Sequence, residues 1–507
     1  MASLYSNRLS EYSHENGGRV LLLFLLFLLA IYEFVTAGYS AFTIVCLSPA
    51  VVLFVYAAFR WRMFTFWVLI VVNYFLQMKD IHLPVPMSLP NEMLQIVLLA
   101  IAIVDARQSP HFERCANFML FALIIWCGFC TLEILNDTCD LGINIAAWYQ
   151  GSRLMAFQLL YIFLVFSIYI SSPQILMRYL YIWAGLALFT VFWTYKQQYI
   201  GFTSSEARFM DGNATHVLNA GTLIRYFSTF SDAANYGCNA ASTAVAFIII
   251  GITTKIRNNK LFFLLTGVAV IWGMFASGTR TAIACLGAGL IVYIFLSKSF
   301  KIAIPFTIAV VFFAFILVFT TIGQGNQQIR RMRSAFNKDD ASMAARDVNK
   351  DAMRKYIQDA PWGIGIGMNP DNVPANNKYN LLAKVPPDSD YVFIWLRTGP
   401  IGITVYVITM LMMLGGGCYT VLFKLKNRSL IGIGAAFCCA FVSIQLGGYG
   451  NQVMMQFPNG LIFYGGLSIV YILPYLEPEW IKYEEELIAK QEERKRLKLE
   501  KKLASRV

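Results

Sequence analysis

Charge is scarce in this chain. Only 14% of its 507 residues are charged, against 57% hydrophobic, whereas soluble domains carry roughly 25% charged residues. The shortage excludes a soluble globular fold, which would have to expose large apolar patches. The apolar excess excludes disorder, because disordered chains are apolar-poor. A disulfide framework is also missing. Most of the ten cysteines fall inside apolar blocks, and Cys127-Gly-Phe-Cys130 lies mid-block without βαβ context, so it reads as buried packing. No convincing internal repeat is present.

What is present is a series of apolar blocks of about 16–25 residues, the length that spans a bilayer core. They fall at 20–37, 40–59, 63–78, 91–106, 115–135, 154–171, 176–195, 233–253, 261–277, 281–297, 302–322, 391–423, 430–447 and 458–475. The first reads as an uncleaved span rather than a signal peptide. The fold expected is all-α: a polytopic bundle of about 14 spans. The net charge of +12 sits largely in short loops: Arg60 and Arg62, Arg107 and Arg114, Lys255 to Lys260, Lys298 and Lys301, Lys424 to Arg428. If the spans alternate, these loops share one side, which the positive-inside rule makes cytoplasmic, with both termini. Residues 1–475 then form a transmembrane domain containing a large extracytoplasmic loop at 323–390. Residues 476–507 form a charged cytoplasmic helical tail. In that tail Glu486/Lys490 and Glu492/Arg496 stand four apart, Glu first, as on a solvated helix. A partner-binding coil is the other reading.

Charges near membrane depth are costly and mark function. Ser277-Gly-Thr279-Arg280 joins two short blocks of about 25 Å each, below the roughly 30 Å of a hydrocarbon core. The turn is therefore expected to sit within the protein, with Arg280 either binding an anion or closing a structural ion pair. Arg225 leads through Asp232 and Asn235 into the 233–253 block. The large loop should hold a helix capped at Asp339 or Asp340 and ended by Pro361 and Gly363. Arg346, Lys350 and Arg354 stripe one face of it, opposite Ala345, Val348, Ala352 and Tyr356. The stripe suits lipid headgroups or an anion site. In Pro361-Trp-Gly-Ile-Gly365-Ile-Gly367 the glycines should let backbone approach something closely. Asp388 and Asp390 stand at the entry to the 391–423 block. An ionised carboxylate there can take a proton from a hydroxyl, or Asp388 can simply cap the helix.

In order, Arg225…Ser-Asp232-Ala-Ala-Asn235-Tyr-Gly, Ser277-Gly-Thr279-Arg280-Thr-Ala, Ala345-Arg346, Trp362-Gly-Ile-Gly365 and Asp388-Ser389-Asp390-Tyr…Gly399-Pro-Ile-Gly402 resemble the O-antigen ligase/polymerase family of bacterial membrane glycosyltransferases. The resemblance covers about residues 200–475. It implies a GT-C-like fold and transfer of glycan from undecaprenyl diphosphate at the outer face of the cytoplasmic (inner) membrane. Neither metal nor other cofactor is implied. On this basis Arg225, Arg280 and Arg346 hold the diphosphate. Asp388 is the base for the acceptor hydroxyl, with Asp390 second. Asp232, Asn235, Ser277, Thr279 and Gly365 support them. Ligases of the family carry His-Asn where this chain has Asp388-Ser389, and His14, His82, His111 and His216 lie elsewhere. That favours a polymerase of O-antigen, capsular or exopolysaccharide repeats over a ligase acting on lipid A-core. Expected partners are a lipid-linked oligosaccharide, membrane lipids, and a chain-length regulator or flippase, but not nucleic acid. A polysaccharide transporter is the reading from another class. Such proteins favour internal repeats and helices broken at the midplane. A sensor or assembly scaffold is a third.

Overall fold

Inside a bilayer the backbone must satisfy its own polar groups, and helices do so within one segment. The computed structural model is accordingly built from helices. It describes residues 60–81, 88–104, 111–212, 218–219, 223–298, 353–384 and 389–504, with isolated positions elsewhere. The chain divides into two compact units, Met1–Trp67 and Val68–Val507. Most of the first lies outside the described residues.

In chain order the helices are α1 (Arg62–Phe75), α2 (Ser88–Val104), α3 (Phe118–Leu132), α4 (Ile145–Ser152), α5 (Gln158–Tyr169), α6 (Pro173–Tyr199) and α7 (Ser204–Gly212). A two-residue antiparallel pair follows, with Leu218 opposite Ile224 and Asn219 opposite Leu223. Then come α8 (Ala233–Thr253), α9 (Arg257–Ala276), α10 (Arg280–Leu296), α11 (Asn380–Lys384), α12 (Asp390–Tyr419), α13 (Arg428–Gly450) and α14 (Gly465–Ala504). A π-helical turn, Arg153–Phe157, joins α4 to α5. Short polar side chains start many of these helices by accepting backbone N–H bonds: Asn117, Asn144, Ser172, Asp232, Ser389 and Asn427.

Among the described residues, eight helical stretches are long and apolar enough to cross a membrane, and three shorter apolar helices accompany them. Together they coincide with the expected blocks from 63–78 to 281–297 and from 391–423 onward. The blocks expected at 20–37, 40–59 and 302–322 lie largely outside the described residues. α8 is the most enclosed, with 89% of its apolar window buried. It packs against α9, α10 and α13. Small residues allow this: a Cβ on Gly432 would meet the Thr253 side chain at 1.9 Å, and Ser242 donates across the contact to Ser443 at 2.8 Å. Close approach of this kind replaces the hydrophobic drive that helices lack in lipid. The described cysteines are unpaired thiols, and all but Cys418 are buried.

Two departures from the sequence reading matter. α12 is not one continuous span, because Gly399 has φ 66° and ψ −171° and Pro400 follows it. Residues 390–398 form a separate helical piece, and the helix to Tyr419 restarts at Pro400. α14 shows the reverse, running unbroken through the expected tail boundary near Leu476.

Candidate active site at one end of the bundle

Arg225 follows β2 (Leu223–Ile224) and lies beside the end of α9. The next residue, Tyr226, donates its N–H to Ala276 O at 3.4 Å. The Arg225 guanidinium reaches across the α9–α10 turn. Nε donates to Ser277 O at 3.3 Å and Nη2 to Thr279 Oγ1 at 3.0 Å. Thr279 in turn donates to Ala233 O at 2.7 Å, at the start of α8. A Cβ on Gly237 would lie 2.4 Å from Ser277 Oγ, so this glycine lets the turn sit directly on α8. Arg280 is half-buried and opens α10 as its first residue. A cation at the positive end of a helix dipole destabilises that helix, so helix stability does not account for it. The helix N-terminus on which it stands is itself a place that attracts anions.

Asp232 caps α8, accepting from Ala234 N at 2.7 Å and Asn235 N at 2.9 Å. Asn235 is fully buried and ties three segments together. Its Nδ2 donates to Gln77 Oε1 at 3.1 Å and Phe457 O at 3.1 Å, and its Oδ1 accepts from Asn459 Nδ2 at 2.6 Å. Asn459 also accepts from Asn239 at 2.7 Å. The Ser231 hydroxyl lies between Asp232 and Gln456. Lys79 donates to Ser231 O at 2.8 Å and sits 3.9 Å from the Phe209 ring centroid. Burial pulls its ammonium below the usual lysine range, and Asp232 opposes that shift.

Asp390 meets the same segment from the other side. It is 1% exposed, and its Oδ2 accepts from Val453 N at 3.0 Å and Met454 N at 2.8 Å. Its Oδ1 is buried and has no hydrogen-bond partner among the described residues. Asn451 donates to Thr281 at 3.0 Å, which binds the segment to α10 as well. Residues 451–459 therefore link Asp390, Asn235 and the start of α10. Sequence reasoning missed them, together with Gln77 and Lys79. The signal available was a cluster of amides at the edge of two apolar blocks.

The glycine-rich segment is placed by backbone. Gly365 N donates to Arg397 O and Ile364 N to Leu396 O, both at 3.0 Å. Gly363 has φ +72°, and a Cβ there would lie 2.5 Å from the Arg397 carbonyl carbon. The close approach expected of these glycines is real, and its object is the broken turn of α12. Below them Met353, Ile357, Ile364, Tyr379 and Leu396 form a core with Cys139. Residues 353–357 are helical and end in a turn before Pro361, as expected, with Arg354 exposed. Arg346 and Asp388 lie outside the described residues.

A carboxylate nearby has a structural role. Glu206 and Thr203 cap the start of α7 reciprocally, Thr203 N to Glu206 Oε2 at 2.7 Å and Glu206 N to Thr203 Oγ1 at 3.2 Å. Trp193, Lys196 and Gln197 also donate to it. Burial alone would raise its pKa, but these bonds together hold it below the usual carboxylate range.

No curated protein matches the chain. Residues 261–407 match the Wzy_C family model, described as O-antigen ligase. The matched segment includes Ser277, Thr279, Arg280, Arg346, Gly365, Asp388 and Asp390, while Arg225, Asp232 and Asn235 precede it. Across residues 261–407 this multi-pass membrane protein thus carries the domain of the O-antigen ligase/polymerase family.

Proposed function

We propose that the chain transfers a glycan from an undecaprenyl-diphosphate carrier to a glycan acceptor, at the outer face of the bacterial cytoplasmic membrane. The observation that carries this reading is the sharing of one turn, Ser277–Thr279, by Arg225 and the start of α10 with Arg280. Departure of a lipid diphosphate develops negative charge on its oxygens. Arginines fixed in advance stabilise that charge, usually the largest single term in catalysis. Their planar forks match phosphate oxygens and stay charged in a poor dielectric. Arg346 is the third member of this set. Asp388 takes the proton of the acceptor hydroxyl. Asp390 secures the 451–459 segment through one oxygen and is the alternative base through the other.

The absence of a His-Asn pair at 388–389 favours polymerisation of repeats over ligation to lipid A-core. Incubation of the purified protein with lipid-linked repeat units tests the activity: polymer should form with neither metal nor nucleotide added. Deletion of the gene separates the two branches on a gel of surface glycans. Loss of the long ladder with one repeat retained supports polymerase. Unmodified core with lipid-linked polymer accumulating supports ligase. No change in either readout overturns the reading.

A further inference from the structure

The end of the bundle opposite Arg225 and Asp390 holds a cavity of about 560 Å³, within the range of small-molecule sites. It lies among the start of α3, the end of α12 and the middle of α14. Two features open it. A Cβ on Gly415 would meet nothing within 4 Å, and on Gly416 it would press on the Tyr471 hydroxyl at 2.4 Å. Tyr419, Tyr471 and Tyr475 supply phenols, and exposed Lys424 supplies a cation, 6.0 Å from the Tyr419 ring. Behind Tyr475 stands Arg114, 8% exposed, with its guanidinium carbon 5.9 Å from that ring. Arg114 Nη1 donates to Ser171 O at 3.4 Å, and its buried Nε has no acceptor among the described residues. Burial pulls its pKa below the usual arginine range, a shift that Glu113 and Glu479 oppose. Phe118 lines the cavity and is 49% exposed, and next to the lining Phe121 packs on Phe118 and Phe423 on Tyr419, 55% and 72% exposed.

From this arrangement we infer that the cavity binds the headgroup of an anionic glycerophospholipid, with the acyl chains lying along the exposed apolar rim. Basic pockets between spans on the cytoplasmic side take acidic headgroups, and tyrosines suit the level where a lipid turns from polar to apolar. A soluble phosphate would gain nothing from the rim. A zwitterionic lipid would set its own ammonium against Lys424 and Arg114. The inference is independent of the glycosyl-transfer reading, because the cavity shares no residue with the Arg225–Asp390 end.

The test uses the full chain, delipidated in detergent and returned to nanodiscs of phosphatidylcholine with or without one-fifth phosphatidylglycerol. Native mass spectrometry should count one retained phosphatidylglycerol per chain. Gly415→Leu, which fills open space, should abolish retention, and Lys424→Gln should weaken it about tenfold. Lys424 is exposed, so that variant carries the test if Gly415→Leu fails to fold. Equal retention of phosphatidylcholine overturns the inference by showing a plain apolar groove. Displacement of the lipid by millimolar inorganic phosphate overturns it in favour of a free-anion site. Unchanged retention in both variants places the lipid elsewhere.

Discussion

The Arg225 guanidinium donates to the Thr279 hydroxyl at 3.0 Å, across 54 residues of sequence and one residue short of Arg280. This bond orients one arginine against the turn that presents the next. Arg225→Ala should lower turnover about 10²–10³-fold, the usual loss of a preorganised charge donor. Thr279→Val should cause a smaller loss. If Thr279 acts through Arg225, the double variant will be no worse than Arg225→Ala alone. Additive losses, measured as transfer from lipid-linked repeats, would refute the coupling.

Arg280→Lys should fail almost as badly as Arg280→Ala. Lysine keeps the charge but loses the two-pronged fork. Near-normal turnover in the lysine variant would reduce Arg280 to a point charge.

Asp388→Asn tests catalysis, because the cap of α12 that the sequence offered to Asp388 is made by Ser389, which accepts from Val392 N at 3.2 Å. Loss of a general base costs about 10²–10⁴-fold. We expect at least a hundredfold loss at normal protein levels. An active Asp388→Asn beside a dead Asp390→Asn would move the base two residues on.

Asn235→Asp removes the donors that face Gln77 and Phe457. Each buried group left unpaired costs about 1–3 kcal/mol. The thermal midpoint of the variant in detergent should fall by several degrees. An unchanged midpoint would mean that the hub adds nothing to stability.

Glu206 gives a pH dependence of known sign. Its folded pKa is lowered, so its ionised form adds stability that is fully present above the unfolded value of about 4.3. That stability is lost as pH falls through the lower folded value. Glu206→Gln should therefore melt below the parent at pH 7, and the gap should close as pH drops under about 4. A gap that stays constant to pH 3.5 would assign the difference to packing rather than charge.

Hydropathy exposed the helices because each apolar block is local. The pairing of Arg225 with the Ser277 turn was legible through residue type, since arginines and hydroxyls at membrane depth are rare. The link through Asn459 was not. Its amide meets Asn235 across 224 residues, and an uncharged amide at a span edge carries no periodic or electrostatic mark. The break at Gly399 was hidden for another reason. Gly-Pro inside an apolar run scores as hydrophobic, while the contact requiring it comes from Gly363 and Pro361, far upstream.

The unbroken course of α14 has a mechanical consequence. Its last fixed point is Glu484, which accepts from Lys255, Asn427 and Ser429. Beyond it the helix continues to Ala504, braced by Arg496 and Glu500 at 3.1 Å. At 1.5 Å per residue that is a stalk of about 30 Å. A protein seated on its tip would be held at a set standoff from the membrane. Turning the stalk by one helical residue would swing that cargo through about 100°, so adding or deleting single residues in it would change the bearing of the cargo far more than its distance.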